Sequence, residues 1–269
     1  MLPRQLDLAI ISDVHLGTYG CHADELLDYL KGIRPRKLII NGDFIDGWAF
    51  SKSYFPDAHF EVIRYVLKMI RKGCKVIYIT GNHDEFLRNY SDLTIGGLSI
   101  VDKYIMEIEG RKYWFFHGDI FDHSTKGISK YLAKVGGKGY DGLIIFNRLM
   151  NNVLVRLGRE KYSLSKKIKS VVKHAVKFIH DFEANAAEAA IAKGFDVVIC
   201  GHIHQPRMQY YRTSEGAVQY LNSGDWIENL SALEYCEGSW SLFHYPNKFT
   251  SIQNKAAKKM TEELVFEVH

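Results

Sequence analysis

Five short polar clusters each follow a run of apolar residues, and this repetition limits the folds that the 269-residue chain can adopt. The runs before the clusters have the length and apolar character of buried strands, and amphipathic helical segments separate the first three. This alternation predicts a largely parallel sheet, whose ligand-binding groups gather beyond the carboxyl ends of the strands. The clusters in question are Asp13-Val14-His15, Gly42-Asp43, Gly81-Asn82-His83-Asp84, His117-Gly118-Asp119 and Gly201-His202-Ile203-His204.

The first 85 residues read as strand, helix, strand, helix, strand. Helices are predicted at Asp24–Lys31 and Ala58–Lys72, where apolar residues recur with the helical period. Predicted strands, including a hairpin turning near Gly110, cover residues 6–12, 37–41, 75–80, 104–108, 113–116, 196–200, 218–221 and 240–245. The expected buried face of the second helix consists of Phe60, Ile63, Val66, Leu67 and Ile70.

The stretch from about 121 to 182 interrupts the strand series and predicts a helical cap inserted into a single domain spanning 1–269. Within it, Leu143–Leu157 and Leu164–Phe178 combine apolar positions with lysine and arginine, as basic amphipathic helices do. Residues 126–180 contain 13 lysines and arginines against two acids, a net +11; because the whole chain is +4, the remainder is −7. The imbalance favours an anionic partner, although a solvated helix face on an ordinary subdomain would have the same composition.

The four cysteines are scattered without a CxxC pair, which is typical of reduced thiols in a cytoplasmic protein. The first residues pass directly into a strand-like run without a signal-peptide core. No stretch approaches the roughly 20 apolar residues of a membrane span. These features predict a cytoplasmic chain that does not cross the membrane.

The clusters supply carboxylates, imidazoles and one amide, the side chains that hold a pair of divalent metal ions. Asp-x-His and His-x-His each place two ligands two residues apart, which would point the same way on an extended strand. A carboxylate such as Asp43 has enough lone pairs to bridge two ions. Mixed nitrogen and oxygen ligands favour Mn²⁺, Fe or Zn²⁺ over Mg²⁺ or Ca²⁺, and the lack of cysteine ligands disfavours a structural zinc site. The candidate ligands are Asp13, His15, Asp43, Asn82, His117, His202 and His204.

Taken singly, each cluster is more often a turn, a helix cap or a half-buried histidine, so only their combination is specific. In order along the chain the motifs are D-x-H, G-D-x-x-D (residues 42–46), G-N-H-D, H-G-D and G-H-x-H. They resemble the calcineurin-like metallophosphoesterase superfamily over residues 6–119 and 196–226. The resemblance implies an α/β fold, a two-sheet αββα sandwich.

The same resemblance implies how the candidate site is divided. One metal ion would be held by Asp13, His15, Asp43 and His204, and the second by Asp43, Asn82, His117 and His202. A hydroxide bridging the ions would attack phosphorus, cleaving a phosphoanhydride or phosphoester bond. His83 would lie near the leaving oxygen as a catalytic residue, with Asp84 orienting it.

The position of the insertion and the segment Asn222–Trp226 are similar to those of UDP-2,3-diacylglucosamine pyrophosphatases of lipid A synthesis. The resemblance implies release of UMP and an acylated sugar 1-phosphate, lipid X, with the acyl chains in the cap. It also predicts Mn²⁺ as the metal, with Zn²⁺ and Fe as alternatives, and peripheral association with an anionic inner membrane surface. Candidates for substrate contact are Arg156, Lys166 and Lys169. The chain departs from that group at His83, where the group's pattern has arginine.

Two further hypotheses stay open. The chain could be a metallo-phosphodiesterase or phosphatase acting on another nucleotide or on nucleic acid, since a basic patch near tyrosine and tryptophan suits nucleic acid. It could also be a non-catalytic scaffold with the same fold, although such proteins usually lose metal ligands and every ligand position here is filled.

Overall fold

Two β-sheets lie face to face in the computed structural model, which describes residues 2–48, 54–124 and 164–246, with the side chains of 122–124 and 164–175 left undescribed. The helices are α1 (Ala23–Lys31), α2 (Asp57–Arg71) and α3 (Leu164–Ala192), with short 3₁₀ helices at Glu85–Tyr90 and Asp119–Ser124. The strands are β1 (Arg4–Ile11), β2 (Ile33–Asn41), β3 (Lys75–Ile79), β4 (Thr94–Ile95), β5 (Leu98–Val101), β6 (Lys103–Ile108), β7 (Arg111–Phe116), β8 (Val197–Cys200), β9 (Arg207–Thr213), β10 (Gly216–Asn222), β11 (Ser231–Cys236) and β12 (Ser239–His244).

The strand order places parallel strands at the centre of both sheets. The first sheet has the order β12-β11-β1-β2-β3-β5-β4 and the second β6-β7-β8-β10-β9. Strands β1, β2, β3 and β5 run parallel, as do β7, β8 and β10. The predicted alternation of strands and helices is therefore confirmed, and the parallel strands bring their carboxyl ends to one edge of the sandwich.

Three apolar layers account for the sandwich. Between the sheets, Ile10 and Ile39 pack in one cluster with Phe115 and Ile199. On the outer side of the first sheet, the apolar faces of α1 and α2 cover the strands. On the outer side of the second, α3 packs through Phe178, Phe182, Ala186, Ala187 and Ala190. This arrangement confirms the αββα architecture.

The predicted buried face of α2 is displaced by part of a turn, although its Val66 is buried as predicted. Phe60 and Leu67 are 58% and 52% exposed, whereas Val62 and Met69 are buried. Ile63 and Ile70 are partly buried and flank the true face. The error arises because two overlapping apolar stripes fit the same helical period, and the sequence does not say which stripe faces the sheet.

Strand β2 begins at Ile33, four residues before the predicted start, and includes Pro35. Proline lacks the N–H that a central strand needs, so the sequence does not predict a strand at this position. In the structure Pro35 pairs with Leu6 of β1, while pairing with β3 begins only at Lys37. Pro35 therefore lies in the part of β2 that pairs with β1 on one side and has not yet begun to pair with β3 on the other.

The helix predicted at Leu164–Phe178 continues to Ala192. Its extension is rich in alanine, the strongest helix former, and ends before Gly194. Leu143–Leu157 lies outside the described residues, so the cap and the single-domain boundaries stay predictions. Within the described ranges, no helix is both long and apolar enough to cross a membrane.

Candidate metal centre

The five polar clusters lie directly after the carboxyl ends of β1, β2, β3, β7 and β8. Three of these strands belong to the first sheet and two to the second. The clusters therefore converge where the edges of the two sheets meet. This position is the one that the strand alternation predicted.

Histidine and carboxylate ligand atoms form three overlapping groups among the described residues, and within each group the atoms lie within 4.8 Å of one another. The groups are Asp13, His15 and His204; His15, Asp43 and His83; and Asp43, His117 and His202. His15 and Asp43 each belong to two groups. The arrangement is a continuous line of potential ligands rather than separate sites.

Distances within this line place Asp43 at its centre. Its Oδ2 atom lies 3.2 Å from His117 Nε2 and 3.9 Å from His15 Nε2. At one end, His204 Nε2 lies 3.2 Å from Asp13 Oδ1. One carboxylate oxygen therefore lies within 4 Å of imidazoles from two of the three groups, which suits a ligand shared between two ions.

Five of the candidate ligands have left-handed backbone conformations, with φ between 51° and 70°: Asp13, His15, Asp43, His202 and His204. The left-handed region is uncommon for residues other than glycine, and such strain clusters at functional sites. The extended-strand explanation for Asp13 and His15 is therefore wrong. Strand β1 ends at Ile11, and the two side chains are directed by left-handed turns in the following loop.

Polar contacts behind three of the imidazoles hold Nδ1 and leave Nε2 for the site. His15 Nδ1 lies 3.2 Å from Asp46 Oδ2, and His204 Nδ1 lies 2.9 Å from Asp225 Oδ2. His117 Nδ1 lies 2.9 Å from the main-chain oxygen of Asn41. Metal-binding histidines usually have such partners, which fix the tautomer and the ring orientation.

Among the residues that the structure describes, three buried polar atoms at the centre make no hydrogen bond of good geometry: His15 Nε2, His117 Nε2 and Asn82 Oδ1. His117 Nε2 is close to Asp43 Oδ2, at 3.2 Å, but as an ion-pair contact. Buried polar atoms are normally paired, so this concentration requires an explanation. All three can donate a lone pair to a metal ion, and with the neighbouring carboxylates they form a mixed nitrogen and oxygen set. The residues present therefore fit a pair of divalent ions.

Charge within the centre is strongly polarised. Burial alone would raise the pKa of Asp13, but the charge and hydrogen bond of His204 outweigh it and lower this pKa to about 2. Burial likewise opposes the His117 cation, but the Asp43 carboxylate raises the His117 pKa to about 10. The pKa of Asp43 is lowered in turn, despite its burial, mainly by His117. The carboxylates are thus ionised, and metal ions would replace the protons on the imidazoles.

The His83 side chain contacts Asp46, whereas the sequence predicted Asp84 as its orienting residue. His83 Nδ1 lies 2.9 Å from Asp46 Oδ2. Burial would lower the His83 pKa, but the Asp46 hydrogen bond and the charges of Asp43 and Asp46 raise it. Both carboxylate oxygens of Asp84 accept hydrogen bonds. Oδ2 accepts from Phe44 N at 2.9 Å and from the Tyr78 hydroxyl at 2.6 Å, and Oδ1 accepts from Gly81 N at 2.6 Å. Asp84 therefore ties together the loops after β2 and β3.

Comparison with known proteins places this geometry in a family. Residues 6–206 match the sequence model of the calcineurin-like phosphoesterases, a span that includes every candidate metal ligand. The chain belongs to the calcineurin-like phosphoesterase family. It is accordingly a metal-dependent phosphohydrolase.

Relatives of this phosphoesterase match it over nearly their whole length. The UDP-2,3-diacylglucosamine hydrolase of Aliivibrio fischeri (strain MJ11) is 25% identical over 244 residues, which cover 88% of this chain and 98% of the relative. The UDP-2,3-diacylglucosamine hydrolase of Stenotrophomonas maltophilia (strain K279a) is 25% identical over 240 residues, covering 86% and 96%. Among solved structures, the E. coli phosphoesterase Yfce matches at 14% identity with a TM-score of 0.44, covering 89% of this chain and 93% of Yfce.

The structure leaves the predicted substrate contacts of the phosphoesterase as predictions. Arg156 lies outside the described residues. Lys166 and Lys169 belong to the first turns of α3, but their side chains are not described. Sequence reasoning missed the supporting residues Asp46 and Asp225, although both lie in quoted motifs, G-D-x-x-D and Asn222–Trp226. The carbonyl of Asn41 carries no sequence signal, because every residue has one.

Substitution of Gly81 by alanine is expected to disturb the centre without altering any ligand. A Cβ at this position would overlap the Asp43 carboxylate and lie 2.6 Å from the Asp43 nitrogen. Misplacement of a catalytic group by about 1 Å costs on the order of 10²-fold in rate, which is the expected loss. The matched control is Gly32→Ala at the end of α1, where φ is −78° and the nearest atom would be 3.3 Å away. Equal activity of the two variants would contradict the packing of Gly81 against Asp43.

Proposed function

We propose that this phosphoesterase hydrolyses the pyrophosphate bond of UDP-2,3-diacylglucosamine, releasing UMP and 2,3-diacylglucosamine 1-phosphate. The observation that carries the proposal is the extent of the match to relatives with that named activity. The alignment with the Aliivibrio relative covers 244 residues and extends beyond the span 6–206 shared with the general family. The likeness therefore includes sequence outside the general phosphoesterase core.

In this proposal Asp13, His15, Asp43 and His204 hold one divalent metal ion. The second is held by Asp43, Asn82, His117 and His202. Mn²⁺ is the metal that we propose, because the set mixes imidazole nitrogens with carboxylate and amide oxygens. When bound, such a pair lowers the pKa of a coordinated water and neutralises charge on phosphoryl oxygens. The overlapping ligand groups support this division.

His83 supplies a hydrogen bond or a proton to the leaving oxygen. Its Nε2 lies 4.0 Å from Asp43 Oδ2 and is directed at the centre, while its side chain is 25% exposed and so accessible to substrate. Because Asp46 accepts from Nδ1, the ring has a fixed orientation and Nε2 is the atom that meets the substrate. Asp46 also accepts from His15, so one carboxylate positions both a metal ligand and the acid.

The predicted cap completes the proposal on the lipid side. Its apolar positions would hold acyl chains, and Arg156, Lys166 and Lys169 would contact phosphates. The net charge of +11 over residues 126–180 supports attraction to an anionic inner membrane surface. The protein would then be cytoplasmic and peripheral to that membrane.

A second candidate function is hydrolysis of another phosphodiester, such as a nucleotide or nucleic acid. The observation that favours it is His83, at the position where the UDP-2,3-diacylglucosamine pyrophosphatase pattern has arginine. Histidine at this position is the general form of the superfamily. The two candidates share the metal centre and differ only in the substrate.

Purified protein supplied with Mn²⁺ is expected to release UMP from UDP-2,3-diacylglucosamine, measured by chromatography of the nucleotide products. EDTA should abolish release and excess Mn²⁺ should restore it, since the ions supply the nucleophile and the charge stabilisation. Bis(p-nitrophenyl) phosphate serves as a generic diester control. Cleavage of this diester without any UMP release would reject the lipid substrate and favour the second candidate.

A further inference from the structure

Trp48 is a large side chain left in solvent beside the metal centre. It is 57% exposed, and its ring centroid lies 4.1 Å from that of His83 with the planes at 35°. One face of the indole is therefore set against the proposed acid. Exposed aromatic surface next to a polar centre is a common mark of a binding site.

The backbone around Trp48 is fixed to the same residues that position His83. Trp48 N donates to Asp46 Oδ1 at 3.0 Å, and Gly47 N donates to the His83 carbonyl at 2.8 Å. The other oxygen of Asp46 contacts His83 Nδ1 at 2.9 Å. The backbone that carries Trp48 is therefore hydrogen-bonded to Asp46 and next to His83, and the ring contact with His83 places the indole beside the acid.

Gly47 allows this close approach and connects Trp48 to a second exposed ring. A Cβ at Gly47 would lie 2.8 Å from the His83 carbonyl oxygen and 3.1 Å from the Phe86 ring. Phe86 is itself 47% exposed. Among the described residues, the His83 side of the centre thus includes two accessible aromatic side chains, Trp48 and Phe86.

We infer that Trp48 is a stacking platform for the ring that adjoins the scissile phosphate group on the His83 side of the substrate. This inference rests on the proposed function, whose substrate has a ring on each side of its pyrophosphate, the uracil base and the glucosamine. Either can lie flat on an indole, the base by aromatic stacking and the sugar by its C–H face against the negative face of the π system. The shared chemistry is a ring with a face that can stack, joined directly or through a ribose to a phosphate that the metal ions would bind.

Calorimetric titration of the Mn²⁺-loaded protein with three ligands tests the platform. UMP carries the base, glucosamine 1-phosphate carries the sugar, and inorganic phosphate has neither ring. Stacking on an aromatic side chain is lost on alanine substitution at a cost that corresponds to roughly 5- to 150-fold in affinity. Trp48→Ala should weaken UMP or glucosamine 1-phosphate by that factor and leave inorganic phosphate unchanged, while Trp48→Phe should retain most of the affinity. Trp240→Phe is the matched control, because Trp240 lies on β12 and contacts Tyr235.

Weaker binding of UMP alone would identify the base as the stacked ring, and weaker binding of glucosamine 1-phosphate alone would identify the sugar. Unchanged binding of both UMP and glucosamine 1-phosphate would overturn the inference, because Trp48 would then not contribute to ligand binding. Equal weakening of inorganic phosphate would also overturn it, because the substitution would then act through the metal centre. Failure of the proposed function is a separate result, since it is seen as absent UMP release by the wild-type protein. The titrations do not require turnover and so distinguish the two failures.

Discussion

Replacing Asp43 by alanine is expected to lower kcat on the proposed substrate by at least about 10⁴-fold, which corresponds to about 5.4 kcal/mol of lost transition-state stabilisation. The reason is the central place of this carboxylate, 3.2 Å from His117 Nε2 and 3.9 Å from His15 Nε2. Both proposed metal ions share it, so its loss affects the whole pair. The measurement is the rate of UMP release at saturating Mn²⁺.

The matched control for this variant is Asp92→Ala. Asp92 also has a left-handed backbone, with φ of 68° against 53° for Asp43, but it is exposed. Both variants therefore place alanine in an unfavourable backbone conformation, and only one removes a proposed ligand. Asp43→Asn, which tolerates the left-handed region, separates loss of charge from backbone strain. Retention of more than about a tenth of the wild-type rate by Asp43→Ala would contradict the bridging role. A tenfold loss of rate corresponds to only about 1.36 kcal/mol of transition-state stabilisation, which is too little for the loss of a ligand shared by two ions.

Replacing His83 by alanine is expected to lower kcat by roughly 10²–10⁴-fold, the range typical of acid–base groups. Metal content should stay at the wild-type value, because His83 is proposed to act on the leaving oxygen and not as a ligand. Steady-state kinetics together with metal analysis of the same sample measures both quantities. Loss of metal from His83→Ala would instead make His83 a ligand, consistent with its grouping beside His15 and Asp43.

The roles of Asp46 and Asp84 provide the control for the His83 result. Asp46→Asn should lower kcat, because Asp46 Oδ2 lies 2.9 Å from His83 Nδ1. Asp84→Asn should mainly lower the melting temperature, because Asp84 accepts hydrogen bonds from two loops and the Tyr78 hydroxyl. The opposite pattern, with Asp84→Asn slow but stable and Asp46→Asn fully active, would restore the sequence-based assignment of Asp84 as the orienting residue.

The periodicity of apolar residues was sufficient to predict a largely parallel sheet and the edge at which the polar clusters gather, whereas the two-sheet sandwich was predicted from the family resemblance. Buried strands and amphipathic helices have distinct periods, and parallel strands place their carboxyl ends together. The same periodicity did not decide which stripe of α2 is buried, because Phe60 and Leu67 fit the pattern as well as Val62 and Met69. That choice depends on how the helix packs across the sheet.

The site was less predictable in its supporting contacts than in its ligand candidates. Asp84 is adjacent to His83 in sequence, whereas Asp46 lies 37 residues away, so the motif favoured Asp84. Only the fold shows that Asp46 contacts His83, and that Asp84 accepts hydrogen bonds from Tyr78 and backbone donors. Likewise, the left-handed backbone at Asp13 and His15 is a property of the loop after β1 that no residue pattern indicates. Such details depend on hydrogen bonds between segments distant in sequence.

The number of metal ions bound per chain tests the central claim most directly. The protein would be saturated with Mn²⁺, freed of excess ion and analysed by inductively coupled plasma mass spectrometry, with Asp43→Ala treated in parallel. We expect two ions per wild-type chain and loss of both from Asp43→Ala, because this carboxylate is common to the two proposed sites. A wild-type chain that binds one ion or none, or an Asp43→Ala chain that keeps two, would contradict a dinuclear centre bridged by Asp43.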